Sequence, residues 1–574
     1  MTNNPRFFLW AALLLIALVN YQTWTQDYAP PPQAPAAAAA PSGASTPPPT
    51  GGLENRIPSA APSSSSAAAA ASGTAASRSP EPGAAPSGPV ADAVPSSRAS
   101  TIHVRTDVLD LKISTQGGTI EQADLLQYPR VKGQSEPVRL ENQDEPASVY
   151  LLQSGLSGPD PTPTHLALYT ATQHDYALNS GSELRVPLTW TGDQGITVTK
   201  TYVFKRGSYR IDIEYAVQNH SETAWQATPY AQILRNDPRT KRSMFNVESY
   251  AFHGPAIYDG TKYRKLDTAD KDDSHLSLDV KSGWVAALQH HFVSAIVPPP
   301  DQQYRFTLNA SVDEYLLTAA GATHTVAPGN SDKFGLTLYI GPKLQGQLKQ
   351  TSPELARAAD YGHLYFLAQP LFKLLSVVHA VTGNWGIAII FVTFLLKLLF
   401  YPLSEASGRS MAKMKQLSPR IKNLQETYKD DREKLGRAMM ELYQREKINP
   451  VAGCLPIIIQ IPVFLAFYWV LLESVEMRQA PFAFWIHDLS SRDPFFVLPA
   501  IMAVAMFVQY KLNPQAQDPV QAKVFMFMPL VMSAMFAFFP AGLVLYWVTN
   551  TILSIAQQWN INRRVAAAAI ARKA

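Results

Sequence analysis

Ile387-Ala-Ile-Ile-Phe-Val-Thr-Phe-Leu-Leu-Lys-Leu-Leu-Phe-Tyr401 carries a single charge, Lys397, inside an otherwise apolar run. A cation at the middle of a bilayer span costs roughly 2.5–3.5 kcal/mol on insertion scales, so one kept there has a task or an escape route. Tyr401 and Pro402 close the run about one helical turn beyond Lys397, which leaves snorkelling to the headgroups open. Position alone supports both readings.

The segments that follow repeat the apolar pattern. Five spans can be drawn, at about Gly386–Pro402, Ala452–Leu472, Phe495–Lys511, Val524–Phe539 and Gly542–Ile561. Several are short against a hydrocarbon core of about 30 Å and imply a thin or locally distorted bilayer. The loop 404–449 holds eleven basic residues against seven acidic ones. Lys511 and Lys523 bracket the next loop on that side, and Arg563, Arg564, Arg572 and Lys573 mark the tail. The alternate loops, Glu473–Pro494 and Pro540–Gly542, hold only Arg478 and Arg492. Basic loops stay in the cytoplasm, so the 404–449 loop and the C-terminus are expected inside and the region before Gly386 outside.

At the other end, Arg6 precedes the apolar run Phe7–Val19, and Tyr21 and Trp24 follow it. Residues 1–28 read as a signal anchor with a cytoplasmic N-terminus, a sixth span. Cleavage within the later Ala-rich tract is the other reading. Residues 29–100 are nearly all Pro, Ala, Ser, Gly and Thr. Such a tract cannot bury enough surface to offset its ordering entropy and is expected to be a disordered tether without chemistry, reaching on the order of 50 Å.

From 101 to 350 the period becomes two: Leu109, Leu111 and Ile113; Tyr209, Ile211, Ile213, Tyr215 and Val217; Phe334, Leu336, Leu338 and Ile340. This predicts a large antiparallel β-sandwich on the outer side of the membrane. His290 and His291 lack a spaced acidic or Cys partner and read as ordinary histidines. Residues 351–385 turn helical, with Tyr361, Leu364, Tyr365, Ala368, Leu371, Leu375 and Val378 on one face and Pro370 as an interruption; an amphipathic helix at the membrane interface is expected.

The net charge of +4 over 574 residues gives no case for nucleic-acid recognition, and the single Cys454 excludes a disulfide framework or a CxxC motif. No P-loop motif is present. No metal or cofactor is expected. Within the 404–449 loop, Met411, Met414, Leu417, Ile421, Leu424 and Tyr428 repeat at three and four residues. Asp430-Asp431-Arg432-Glu433 reads as a turn with a capping box, and Leu435, Met439, Leu442 and Tyr443 continue the period. A two-helix hairpin with a Met-rich seam follows. It either closes on itself or serves as a docking platform at Met411, Met414, Leu417 and Met439, since methionine surfaces repack easily.

Lys397 has polar company. Thr393 lies one turn from it, Gln460 sits between Pro456 and Pro462, which are expected to kink that helix, and Trp547, Asn550, Ser554 and Gln557 recur at three, four and three residues. Converging faces would line a wet cavity; the plainer reading is interhelical hydrogen bonding, worth roughly 0.6 kcal/mol per contact. No Asp or Glu lies inside a span, which speaks against the alternative function of a coupled small-solute transporter. Phe525, Met528, Met532, Phe536 and Phe539 form an apolar face that suits either ordinary packing or a surface along which a substrate helix slides.

Several stretches closely resemble the bacterial, Gram-negative YidC membrane-protein insertase family: Asp360-Tyr-Gly-His-Leu-Tyr-Phe-Leu-Ala-Gln-Pro-Leu-Phe-Lys-Leu-Leu375, Gly383-Asn-Trp-Gly386, Tyr401-Pro-Leu403 and Met411-Ala-Lys-Met414. So do Asn449-Pro, Gly453-Cys-Leu-Pro-Ile-Ile-Ile-Gln-Ile-Pro462, Arg478-Gln-Ala-Pro-Phe-Ala-Phe-Trp-Ile-His-Asp-Leu489 and Phe539-Pro-Ala-Gly-Leu-Val-Leu-Tyr-Trp547. The resemblance runs from about Asp360 to Arg564. It implies an α-helical polytopic inner-membrane protein of six spans, with a five-helix insertase core (386–562), a basic cytoplasmic tail (563–574) and a large periplasmic β-sandwich. It implies an ATP-independent insertase and chaperone acting through a hydrophilic groove closed to the periplasm. The implied partners are nascent membrane proteins, the Sec translocon with accessory Sec proteins, the ribosome and membrane lipids. The groove cation of the family, commonly Arg, aligns with Lys397, and Thr393, Gln460 and Asn550 align with other groove positions. The exchange keeps the charge and loses the bidentate fork, favouring a diffuse positive field over a fixed carboxylate clamp.

Overall fold

The computed structural model describes residues 53–59, 99–145, 148–236, 251–311, 313–359, 361–428, 431–446, 455–512 and 519–571. The N-terminal apolar run, most of the 29–100 tract, Asp430, Cys454, Arg572 and Lys573 lie outside the described residues.

The period-two runs become strands of two sheets whose inner faces share one core. The strands used below are β1 (Leu109–Ser114), β2 (Ile120–Pro129), β3 (Tyr150–Ser157), β4 (Ile196–Lys205), β5 (Arg210–Asn219), β6 (Trp225–Asn236), β7 (Glu314–Ala320) and β8 (Ser331–Pro342). The eleven-stranded sheet contains the neighbours β7-β6-β3-β2-β1; the nine-stranded sheet contains β8-β5-β4. Alternation fixes the register. Ile211, Ile213 and Tyr215 of β5 are buried opposite Leu338, Leu336 and Phe334 of β8, and the Tyr215 and Phe334 rings stack at 5.8 Å. A slip by one residue would turn that whole face to solvent. One pair departs from the antiparallel expectation: Thr101–Arg105 runs parallel to Asp175–Ala177.

After Pro342 the chain is helical: α1 (Tyr365–Thr382), α2 (Trp385–Leu399), α3 (Tyr401–Thr427), α4 (Arg432–Arg445), α5 (Leu455–Glu473), α6 (Val497–Leu512), α7 (Pro519–Phe536) and α8 (Ala541–Ala571). Pro370 does not interrupt α1. The helix runs through it, losing only the bond to the Phe366 carbonyl, and ends where Gly383 adopts φ 65°. Ala368, Leu371, Leu375 and Val378 are buried as the period requires, while Phe366, Val377 and Val381 make the outer face apolar too. Helix α1 has the length and hydropathy of a span by itself, and α5, at 19 residues, is longer and more apolar still; α2 reaches that measure only together with the start of α3, across a 68° bend. Helices α2, α6 and α7, at 15, 16 and 18 residues, are about 22, 24 and 27 Å long.

Several boundaries differ from expectation, among them α7, which spans Pro519–Phe536 where the pattern predicts 524–539. Helix α8 continues past Ile561 to Ala571. Asp431 caps α4 by accepting from the Lys434 backbone N–H at 3.0 Å, but Lys434 itself occupies the position where a capping box needs Glu or Gln, so the box is absent. Helix α5 runs through Pro462, and Pro456 sits in its first turn, where a missing N–H costs nothing.

Candidate functional site

Three helices bring the polar residues together. Asn384 caps α2 by accepting from Ile387 N–H at 3.1 Å, so Lys397 falls in the last turn, where the helix dipole favours a cation. Pro402 then ends the helix: it has no N–H for the Leu398 carbonyl, and the chain turns by 68° into α3. The bend leaves the Lys397 side chain facing α8.

Lys397 Nζ donates to Ser554 Oγ at 2.7 Å, and Ser554 Oγ donates onward to the Asn550 carbonyl at 2.7 Å. From α5, Gln460 Nε2 donates to Asn550 Oδ1 at 2.9 Å. Thr393, 1 % exposed, returns its hydroxyl to the Ile389 carbonyl at 2.6 Å. Thr393, Lys397, Gln460, Tyr546 and Asn550 line a cavity of about 20 Å³, room for one water, and none of its lining residues is acidic. The arrangement offers a positive charge held by a neutral hydroxyl, beside amide groups that accept and donate.

Two residues of the expected stripe lie elsewhere. Trp547 packs among aromatic rings, 4.7 Å from Phe464 and 5.3 Å from Phe536, and Gln557 lies two turns beyond Asn550, outside the cavity lining. On α7 the expected sliding face divides. Phe536 is 4 % exposed and Met532 packs against the helical core, whereas Met528 is 39 % exposed beside Val524, Phe527 and Val531. In the hairpin, Met414, Leu417 and Met439 pack with Ile421, Leu442 and Tyr443, so the methionine seam is closed in this conformation. Met411 is half-buried.

A second polar cluster, not anticipated as a unit, joins the β-domain to the helices. Lys343 and Glu473, 3 % and 5 % exposed, face each other at 3.9 Å. His290 Nε2 lies 2.9 Å from the Leu472 carbonyl, and its ring stacks on His291 at 3.8 Å. Burial pulls the His290 pKa down to about 4, with the Lys343 charge adding to the effect. Arg478 donates to the Pro129 carbonyl at 2.9 Å. The sequence signal was the placement of Glu473 and Glu476 just past an apolar run; nothing there pointed to Lys343 as the partner.

The family described as the YidC periplasmic domain matches residues 101–374, and the family described as the 60Kd inner membrane protein matches residues 377–568. Together they cover well over half of the chain. A membrane protein insertase YidC of Thioalkalivibrio sulfidiphilus is 47% identical over 490 residues, 83% of this chain and 86% of that protein. The chain belongs to the YidC family. The same description applies to a relative from Methylococcus capsulatus, 46% identical over 471 residues, 81% of this chain and 86% of that protein. A crystal structure of an active YidC insertase with its first transmembrane domain resolved covers 79% of this chain and 90% of its own, at 17% identity and a TM-score of 0.35, too low to argue from. Family membership makes the chain an inner-membrane protein with a β-rich periplasmic domain and a C-terminal helical region.

Proposed function

We propose that the chain is a membrane-protein insertase and chaperone that moves nascent transmembrane segments into the inner membrane. Family membership carries this reading; the Lys397–Ser554 and Gln460–Asn550 contacts supply a physical means. Both termini and the 404–449 hairpin are cytoplasmic. Helices α2, α5, α6, α7 and α8 form the five-span core, and residues 1–28 are the anchor. The short α2, α6 and α7 suit a bilayer thinned around the groove.

A nascent segment docks on the hairpin, whose seam at Met414 and Met439 opens to receive it. Its polar flank enters the groove, where Lys397 and the amides of Gln460 and Asn550 replace part of its hydration. Its apolar helix then partitions into lipid along the exposed half of α7 at Met528, driven by roughly 25 cal/mol per Å² of apolar surface and needing no ATP. The ribosome and the Sec translocon deliver such segments. The matches give no support to the transporter reading. The test is reconstitution into proteoliposomes: a single-span substrate inserts without nucleotide, and no solute flux accompanies it. Flux without insertion would overturn the assignment.

A further inference from the structure

Residues 53–59 lie in the middle of a tract whose composition promises no structure, yet they sit in a defined place on the outer face of the eleven-stranded sheet. Leu53–Asn55 form one 3₁₀ turn, closed by Arg56 N–H donating to the Leu53 carbonyl at 3.2 Å. Leu53 packs on Leu151 of β3, Leu234 of β6 and Leu316 of β7, a cluster separate from the main core. Arg56 donates to Asn309 Oδ1 at 3.0 Å.

The receiving face contributes buried polar groups that bond the segment's main chain. His165 is 2 % exposed, and its Nε2 lies 2.8 Å from the Glu54 carbonyl while Nδ1 lies 2.6 Å from Tyr230 Oη. The Tyr230 hydroxyl also accepts the His165 backbone N–H at 3.0 Å, so its own proton goes to Nδ1 and Nε2–H points at the segment. Gln232, fully buried, donates from Nε2 to the Arg56 carbonyl at 3.3 Å and to Gln153 Oε1 at 2.7 Å. Burial holds the His165 pKa below its ordinary value, which keeps the ring neutral for this role. An apolar socket flanked by buried donors aimed at two main-chain carbonyls is how a sheet face reads a short peptide.

We propose that the β3–β6–β7 face is a binding site for a short linear segment, and that its resident ligand is Leu53–Pro58 of the chain's own tether. The inference does not rest on the insertase reading. Docking divides the tether. Free, residues 29–100 would reach on the order of 50 Å; with the segment seated, residues 29–52 reach on the order of 30 Å. Shortening the leash about threefold raises the effective concentration of the N-terminal apolar run near the β-domain roughly fivefold, by the −3/2 power of length. The docked segment thus acts as a clip on the tether.

Trypsin tests this on the full-length protein, because the same tract contains Arg56 and Arg78. Cleavage after Arg56 is expected at least tenfold slower than after Arg78, independent of protein concentration, and Leu53→Asp brings the two rates within threefold. Equal rates in the wild type would overturn the proposal, and protection that grows with concentration would overturn the intrachain form. A labelled peptide of residues 51–59 is expected to bind Leu53→Asp, whose site is vacated, at least tenfold more tightly than the wild type; equal binding would rule out a receptor site.

Discussion

Lys200 and Lys397, one buried and one half-buried, are two lysines without a carboxylate partner among the described residues, one in each half of the molecule. Lys200 sits on β4 and is completely inaccessible. Its Nζ donates to the Gly117 carbonyl at 2.7 Å and the Ser154 carbonyl at 2.9 Å, under the rings of Tyr169, Tyr202 and Tyr215 at 5.9, 5.1 and 5.8 Å. Burial pulls its pKa well below the ordinary lysine value. Lys397 has one hydroxyl partner and borders a cavity. A lysine whose donors are spent on carbonyls and whose flanks are packed by rings is part of the fold. One held by a single hydroxyl beside a one-water cavity keeps its charge available to something that arrives.

That difference can be broken most forcefully at Lys200. Lys200→Ala leaves two buried carbonyls without a donor and a void among three tyrosines, and should cost the β-domain about 3–5 kcal/mol in denaturant unfolding. A loss below about 1 kcal/mol would mean the carbonyls find water and the two lysines are less unlike than their surroundings suggest.

Glu476 offers an intermediate case, a buried carboxyl outside the spans with Oε2 unpartnered and its pKa pushed up to about 7 by burial. Because the folded value lies above the unfolded one of about 4.5, the stability it allows is complete below pH 4.5 and declines as pH rises through 7. Glu476→Gln should therefore stabilise the protein by about 2–3 kcal/mol at pH 8 and by little at pH 4.5. Equal effects at both pH values would show that the carboxyl titrates normally.

On the Lys397 side, expected effects on stability are small. Lys397→Arg retains charge and should insert substrate within about threefold of wild type; a loss beyond tenfold would replace a diffuse field with a geometric requirement for the ammonium. Ser554→Ala should do no more than the Arg exchange, about threefold at most in rate, since a single interhelical hydrogen bond is worth roughly 0.6 kcal/mol.

The alternation of Ile211, Ile213, Tyr215 and Val217 is enough to find the strands; Asn550 and Ser554 stand out by their helical spacing, and Lys397 and Gln460 as polar residues inside apolar runs. Trp547 could not be excluded from that group by spacing alone. On a helix it lies about 60° around from Asn550, and that turn points it at Phe464 and Phe536 of other helices, whose positions the sequence does not state. Lys200 is legible in the pattern, because it occupies the inward register of Ile196, Val198, Tyr202 and Phe204. Leu53 was hidden by its surroundings, because composition averages over a tract and one leucine with a receptor on a distant sheet leaves the average unchanged.

The central claim, that Lys397 supplies charge to an incoming polar flank without supporting the fold, is tested most directly by one experiment. Full-length protein with Lys397→Ala is reconstituted beside the wild type, and insertion of a single-span substrate with a short acidic outer tail is measured together with the melting temperature. The expected result is at least a tenfold fall in insertion rate with the melting temperature unchanged within about 2 °C. Insertion at the wild-type rate would contradict the account.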